Sequence, residues 1–165
     1  MGNEVIARKT RMFRGSEYEV ELTQSQLEDI KNDVRIAKLN GDSFDYCLEH
    51  CGHGYFWPEK VASVWQEMEV NVEVGMGATM NLWSDRRAMT VTKVLTPRKI
   101  EVRENNTICK DWYGSSYEIT PELIGKPKIF TLRKGGRWVE EGQPKRYGSV
   151  TLTLGFRHHF IDPSF

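Results

Sequence analysis

The spacing of apolar residues over the first 68 positions is mostly helical. From residue 23 to residue 41 they recur at intervals of three and four, as on one face of an α-helix: Leu27, Ile30, Val34 and Ala37. Thr23 and Gln26 have the spacing of a capping box, in which each side chain bonds the other residue's backbone N–H. Gly41 is a typical residue just past a helix end. This pattern predicts a first helix with one buried face.

Two shorter helical patterns follow. The first begins at about Ser43 and has an apolar face made by Phe44, Cys47, Leu48 and Cys51. The second begins at Pro58, which suits a first helical turn, and has an apolar face made by Val61, Val64, Trp65 and Met68. Residues 1–14, by contrast, are predicted to be a strand or arm with four basic side chains.

After Glu69 the helical spacing gives way to alternation of apolar and polar residues. Short segments rich in β-branched and aromatic residues are separated by turn residues: GATMNLW, AMTVTKVL, KIEVRE, KIFTLR, RWVEE and SVTLTLG. Lys134–Arg137 reads as a tight hairpin and Ser84-Asp85 as the start of another reversal. These signals predict five or six strands.

The predicted fold class is therefore α+β. Helices in residues 1–68 would pack on a small antiparallel β-sheet or SH3-like barrel in residues 69–165, and the two regions would form one compact unit together.

Charge and cysteine content narrow the functional classes. The 165 residues have zero net charge, but residues 1–68 carry −4 and residues 69–165 carry +4. That asymmetry indicates either an anionic partner for the second region or attraction between the two regions. No apolar run reaches the roughly 20 residues of a membrane span. Three cysteines are too few and too unevenly spaced for a disulfide framework, which favours a reducing cytoplasm.

Several short motifs lie in residues 75–91 and 130–165: G-x-G-A-T, W-S-D-R followed by T-V, R-K-x-G-R-W, L-x-L-G-x-R and a D-P-S-F ending. In these motifs the chain resembles small, mostly uncharacterised proteins encoded by tailed bacteriophages. The matching residues are Gly75, Gly77, Ala78, Thr79, Trp83, Ser84, Asp85, Arg86, Thr90, Val91, Gly136, Arg137, Trp138, Gly155, Arg157, Asp162 and Phe165. The resemblance leaves residues 1–68 unmatched. It implies a bacteriophage origin and no particular activity.

A cluster of sulfur and imidazole side chains lies in residues 47–53, CLEHCGH. Cys47, His50 and Cys51 would share one helix face, as zinc ligands could. However, the two cysteines belong to the apolar face of that helix, where free cysteine behaves as a small buried hydrophobe. A second pair of ligands is also missing from the sequence, because His158 and His159 are adjacent on an extended segment and would point in opposite directions. We predict no metal and no cofactor.

The sequence gives no positive reason to predict an enzyme. The cysteines of residues 47–51 lie among acidic residues, which disfavour the thiolate of a Cys–His nucleophile. Phosphate-binding loops, nucleophile elbows and metalloprotease motifs are absent from the sequence.

The basic and aromatic residues of the second region carry the functional hypothesis. Residues 126–146 contain seven Lys or Arg residues and two Glu residues, with Trp138 and Tyr147 close by and Trp112 and Tyr113 further upstream. Guanidinium groups bind phosphate in a bidentate manner, and aromatic faces stack on bases. The alternative is that Trp138 packs on the sheet and the arginines are solvated. The apolar ending GFRHHFIDPSF is predicted to dock on the body or on another subunit, with Arg157 and Asp162 paired.

The leading prediction is a non-enzymatic bacteriophage protein that acts against host defence in the host cytoplasm, by sequestering a small anionic ligand such as a nucleotide immune signal. Its predicted ligand-binding residues are Ser84, Asp85, Arg86, Trp112, Arg137, Trp138 and Arg157. One alternative is an SH3-like or OB-like nucleic-acid-binding module, and another is a protein inhibitor of a bacterial defence effector. No membrane partner is expected, and a homo-oligomer is compatible with the sequence.

Overall fold

The computed structural model describes residues 2–143 and 150–164, and within them the protein is mostly β. The elements are β1 Val5–Phe13, β2 Ser16–Thr23, α1 Gln24–Leu39, α2 Phe44–His50, α3 Pro58–Glu67, β3 Gly77–Asn81, β4 Arg86–Thr96, β5 Lys99–Cys109, β6 Tyr117–Arg133, β7 Arg137–Glu140 and β8 Thr151–Leu154. Of the residues that the structure describes, strands make up 45% and helices 21%, in two sheets and three short helices. The predicted α+β fold, with N-terminal helices packed on a C-terminal sheet or SH3-like barrel, is therefore wrong.

The chain begins with a β-hairpin, which places a sheet before the first helix. β1 and β2 are antiparallel and their register pairs Phe13 with Ser16, so Arg14 and Gly15 form a two-residue turn. Both turn residues have positive φ, 50° and 81°, and such turns match the twist of the flanking strands. The basic arm of the sequence is thus β1, which pairs along its whole length with β2.

The three helices share a core with this hairpin. The capping box is confirmed: the Thr23 N–H donates to Gln26 Oε1 at 2.9 Å, and the Gln26 N–H donates to Thr23 Oγ1 at 3.2 Å. Buried side chains of β2, the helices and their connections form one cluster: Leu22, Ile30, Val34, Ala37, Cys47, Cys51, Trp57 and Val61. The first compact unit consists of the chain up to Lys38 and of Ser43–Glu69.

The second compact unit is a closed barrel. It consists of Leu39–Asp42 and of the chain from Val70 onward. Strands β3 to β8 pair in sequence order, each antiparallel to the next, and β8 closes the barrel on β3. Alternate residues point inward and form the barrel core: Ala78, Met80, Met89, Val91, Ile100, Val102, Phe130, Trp138, Leu152 and Leu154. Leu39 also belongs to this core.

Strand β6 is much longer than the sequence indicated. The alternation predicted only residues 128–133, whereas β6 runs from Tyr117 to Arg133. Pro121 and Pro127 interrupt the pattern in the missed part. Among the described strands, β7 pairs only with Phe130–Arg133, so residues 117–128 of β6 have β5 as their single strand neighbour. Proline is tolerated along such an edge because the missing N–H would face away from the ladder.

Residues 39–42 pack against the hairpin that joins β6 and β7. The Asn40 side chain bonds both backbone groups of Leu154, donating to its oxygen at 3.1 Å and accepting from its N–H at 2.8 Å. The Trp138 indole N–H donates to the Leu39 oxygen at 2.9 Å. Gly136 lies directly against the backbone of Gly41. These contacts hold the start of β7, which carries Arg137, in a defined position on the barrel.

Candidate functional site

The turn between β3 and β4 is closed by its own hydrogen bonds. The Leu82 N–H donates to the Asp85 oxygen at 3.0 Å. Arg86 Nη1 donates to the backbone oxygens of Leu82 at 3.1 Å and Asp85 at 2.9 Å. The Arg86 guanidinium is thereby oriented at this end of the barrel wall.

The C-terminal segment docks on the same wall. The sequence predicted that this segment would dock on the body of the protein or on another subunit. Arg86 and Phe160 exchange two backbone hydrogen bonds at 2.7 and 2.8 Å, and the Asp162 N–H donates to Asp85 Oδ1 at 3.0 Å. Thr79 Oγ1 donates to the Phe156 oxygen and accepts from the His158 N–H. The segment therefore covers the outside of β3 and the start of β4.

The predicted Arg157–Asp162 pair is replaced by other contacts. The Arg157 guanidinium donates to the Gly75 oxygen at 3.1 Å and to Thr90 Oγ1 at 3.0 Å. The Asp162 carboxylate accepts from Ser164, which lowers the pKa of that carboxyl. Arg157 thus fastens the C-terminal segment to the barrel.

His159 is packed in this segment. Its ring lies edge-on to Tyr117, with 4.6 Å between ring centroids. Burial lowers the pKa of His159 below its ordinary value, because desolvation disfavours the charged imidazolium. The ring contact and the burial describe a packed side chain.

A cleft of about 560 Å³ lies on the outer wall of the barrel beside the β3–β4 turn. Its lining comes from the end of β3, the β3–β4 turn, the first residues of β4, β7 and β8, and the residue before β8: Asn81, Leu82, Trp83, Arg86, Arg137, Val150 and Thr151. The Trp83 side chain is 88% exposed, which is unusual for so large an apolar ring. The cleft therefore combines an accessible aromatic face with two guanidinium groups.

Hydrogen bonds between strands hold the floor of the cleft. Asn81 Nδ2 donates to Thr151 Oγ1 at 3.2 Å and to Thr153 Oγ1 at 3.0 Å, which ties β3 to β8 on the outer face. Among the described residues, Arg137 has neither an ion pair nor a side-chain hydrogen bond, so its guanidinium is available to a ligand.

The structure brings two of the seven predicted site residues, Arg86 and Arg137, into the cleft. Ser84 and Asp85 lie in the adjoining turn, where the Ser84 hydroxyl donates to the Asp85 carboxylate and that carboxylate holds the C-terminal segment. Arg157 is occupied in the same segment. These three residues support the wall and are absent from the cleft lining.

The two predicted stacking tryptophans do not line the cleft. Trp138 is 1% exposed inside the barrel and its indole N–H is bonded to Leu39, so neither ring face can receive a base. Trp112 is 96% exposed in the loop between β5 and β6. The alternation of residues in β7 places Arg137 and Val139 on one face of the strand and Trp138 on the other. This pattern in the sequence was the available signal that Trp138 packs inside the barrel.

The sequence pattern did not identify Trp83 as a residue of the cleft. Its position in W-S-D-R, one residue past a strand and inside a turn, is a position where side chains are usually polar and exposed. A tryptophan in such a turn has no core to fill. This mismatch between residue type and position was the signal in the sequence that could have identified Trp83.

The four residues of the Cys-His cluster lie in the first compact unit, where the two cysteines share the core and the two histidines have other partners. Cys47 and Cys51 are buried in the core, and burial raises the pKa of Cys51. The His50 ring stacks on Tyr46 with 4.0 Å between centroids, and His53 Nε2 lies 3.4 Å from Asp29 Oδ2. Over residues 2–143 and 150–164, no three His, Cys, Asp or Glu side chains are grouped as metal ligands.

The three thiols are expected to differ sharply in reactivity. Cys109 is exposed, whereas Cys47 and Cys51 are buried, and thiol reagents attack accessible thiolate. In native protein at pH 8, one equivalent of a disulfide reagent should react quickly and two only on unfolding. The Cys109→Ser variant should lose the fast equivalent. Fast labelling of two or three thiols in folded protein would contradict the buried placement.

Comparison with known proteins gives no relative: no family model, no curated protein and no solved structure matches this chain. We therefore classify the protein by its own fold and site. It contains an up-and-down six-stranded barrel with an aromatic and cationic cleft on the outer wall. In the part of the chain that the structure describes, no helix is long and apolar enough to cross a bilayer.

Proposed function

We propose that the protein binds a small anionic, nucleotide-like ligand in the cleft beside Trp83. The observation that carries this proposal is the grouping of one highly exposed tryptophan with two arginines around a space of about 560 Å³. That volume is within the usual range for pockets that hold small molecules. Trp83 supplies a stacking face, and Arg86 and Arg137 supply charge for phosphate oxygens.

Binding without chemistry fits the composition of the cleft. The lining contains arginine, tryptophan, asparagine, threonine and aliphatic side chains. None of these lining residues is a carboxylate, imidazole or thiol, the groups that most often act as general base or nucleophile. We therefore propose that the protein binds its ligand and holds it chemically unchanged.

The biological setting comes from the resemblance to tailed-bacteriophage proteins. In a host cytoplasm, a bacteriophage protein that holds a nucleotide unchanged would lower its free concentration by mass action. Sequestration of a nucleotide immune signal is the concrete form of the proposal.

The charge distribution of the barrel weighs against a nucleic-acid-binding module. Five cations of the barrel unit are paired with acids on or next to neighbouring strands: Lys93–Glu101, Arg87–Glu104, Lys99–Glu141, Lys110–Glu118 and Lys128–Glu140. A groove that binds nucleic acid needs several unpaired cations along the phosphate backbone. These ion pairs neutralise five cations of the barrel unit, and the two cleft arginines lie outside them.

Binding of a protein partner is the second candidate, and one observation favours it. The loop between β5 and β6 carries Trp112, 96% exposed, and Tyr113, 81% exposed. Asp111 accepts from the backbone and hydroxyl groups of Ser115, which gives this loop a defined shape. Tryptophan and tyrosine are frequent anchors in protein interfaces. Neither Trp112 nor Tyr113 lines the cleft, so variants can separate the two functions.

Calorimetric titration with cyclic, linear and ADP-ribose-like nucleotides tests the cleft. We expect at least one to bind the wild type, and we expect Arg137→Gln and Trp83→Ala each to weaken that binding roughly tenfold or more, since a charge-assisted bond or a stacked base contributes about 1–3 kcal/mol.

Matched controls come from the same unit. Trp112→Ala removes an equally exposed tryptophan, and Lys126→Gln removes one exposed positive charge. Both should retain wild-type affinity. Failure of every nucleotide to bind, or equal loss in the control variants, would reject the proposal.

A further inference from the structure

Two arginines face each other across the hairpin that joins β6 and β7. The register pairs Arg133 directly with Arg137, the last residue of one strand and the first of the next. Directly opposed residues on antiparallel strands have their side chains on the same face, with Cβ atoms roughly 5 Å apart. The alternation places both on the outer face, because their neighbours Leu132 and Trp138 form the adjacent pair and Trp138 is buried.

This pairing opposes the rule that the rest of the barrel follows. Like charges directly opposite on paired strands destabilise a sheet. Elsewhere on the barrel, acids lie beside the cations, as in Lys128–Glu140 between β6 and β7 and Lys99–Glu141 between the start of β5 and the residue after β7. Within the described residues, neither Arg133 nor Arg137 has an acidic partner. A local conflict of this kind is expected where function requires it.

Other cations lie close to the pair in the fold. Lys134 follows Arg133 in the turn, and Arg98 Nη2 donates to the Leu132 oxygen at 3.0 Å, next to Arg133. Arg137 is at once a member of the opposed pair and a lining residue of the cleft. The positive charge of the cleft therefore continues from Arg137 to Arg133.

We propose, resting on the proposed function, that the ligand of the cleft carries two or more phosphate groups in a chain. The base stacks on Trp83, the first phosphate is held by Arg86 and Arg137, and the terminal phosphate is shared between Arg137 and Arg133. A phosphate with two negative charges offers oxygens to two guanidinium forks and removes the repulsion between them. The arginine pair thus selects nucleoside polyphosphates over monophosphates.

The test compares mono-, di- and triphosphates of adenosine and of guanosine on three proteins at one fixed salt concentration. The proteins are the wild type, Arg133→Gln and the control Lys126→Gln, which removes one exposed charge from the same strand. Isothermal calorimetry should show wild-type affinity rising at least tenfold from the monophosphate to the triphosphate. Arg133→Gln should abolish most of that rise and leave monophosphate affinity unchanged, and Lys126→Gln should behave as the wild type.

The outcomes separate the two proposals. Equal affinity for mono- and triphosphate, or an equal loss for both in Arg133→Gln, would overturn the polyphosphate inference and leave nucleotide binding standing. A wild type that binds none of these nucleotides would reject this inference. If it also binds none of the cyclic and ADP-ribose-like nucleotides, the cleft proposal fails as well.

Discussion

Replacing Gly136 with alanine is expected to lower the melting temperature of the protein by about 6–12 °C, which corresponds to a loss of roughly 3 kcal/mol. A Cβ at this position would lie 2.3 Å from the oxygen and 2.7 Å from the carbonyl carbon of Gly41. Both are backbone atoms, so no side-chain rotation relieves the clash. Gly136 also has φ of +84°, where L-residues are strained.

Gly135→Ala is the matched control for this prediction. Gly135 has φ of +100°, but a Cβ there would meet no atom within 4 Å. The control should therefore show only the cost of the backbone conformation, about 1–2 kcal/mol. Thermal unfolding followed by circular dichroism measures both variants. Equal losses in the two would mean that the contact between residues 39–42 and the β6–β7 hairpin has no energetic weight.

Trp138→Ala is expected to cost about 3–5 kcal/mol of stability, because it removes the largest side chain from a barrel core that cannot collapse around the void. The same change breaks the hydrogen bond to the Leu39 oxygen and leaves that oxygen without its indole donor. Denaturant unfolding of the variant and the wild type measures the loss.

Trp138→Phe keeps most of the core filled and removes the indole. It retains an aromatic ring in the core and loses only part of the volume and the indole N–H, so its cost should be about 1–2 kcal/mol. At temperatures where it is folded, this variant should bind nucleotide as the wild type does. Loss of binding in a stably folded Trp138→Phe protein would restore the stacking role that the sequence predicted.

Local patterns in the sequence predicted local structure well. The capping box at Thr23, the helix that follows, the alternation of β8 and the hairpin at Lys134–Arg137 all depend on neighbours within a few residues. Interactions at this range are encoded directly in spacing and turn chemistry. The predicted strands at residues 77–83 and 88–95 likewise correspond to β3 and β4.

Nonlocal pairing could not be predicted in this way. The partner of the basic arm β1 is an acidic strand, and the helices that follow dominate the pattern around it. Proline in β6 is acceptable only because that part of the strand has a single neighbour, which is a property of the topology. The insertion of residues 39–42 into the barrel unit depends on contacts more than 90 positions apart in the chain.

The candidate site was predicted only in part, because it too depends on nonlocal pairing of strands. Arg86 and Arg137 were selected by charge and type, and closure of β8 on β3 brings them to one cleft. Trp138 and Arg157 were selected by the same criteria, but Trp138 packs in the barrel core and Arg157 fastens the C-terminal segment to the barrel. Side-chain type alone does not distinguish these roles, because both depend on which strands become neighbours.

The most direct test of the cleft follows the five tryptophan indole N–H resonances by two-dimensional NMR during titration with a nucleotide that binds. The indoles of Trp57, Trp65, Trp83, Trp112 and Trp138 are separate reporters, and Trp83→Phe assigns the decisive one. We predict that the Trp83 resonance shifts in a saturable manner while those of Trp112 and Trp138 stay in place. Saturable shifts at Trp112 or Trp138 with Trp83 unmoved would contradict the account.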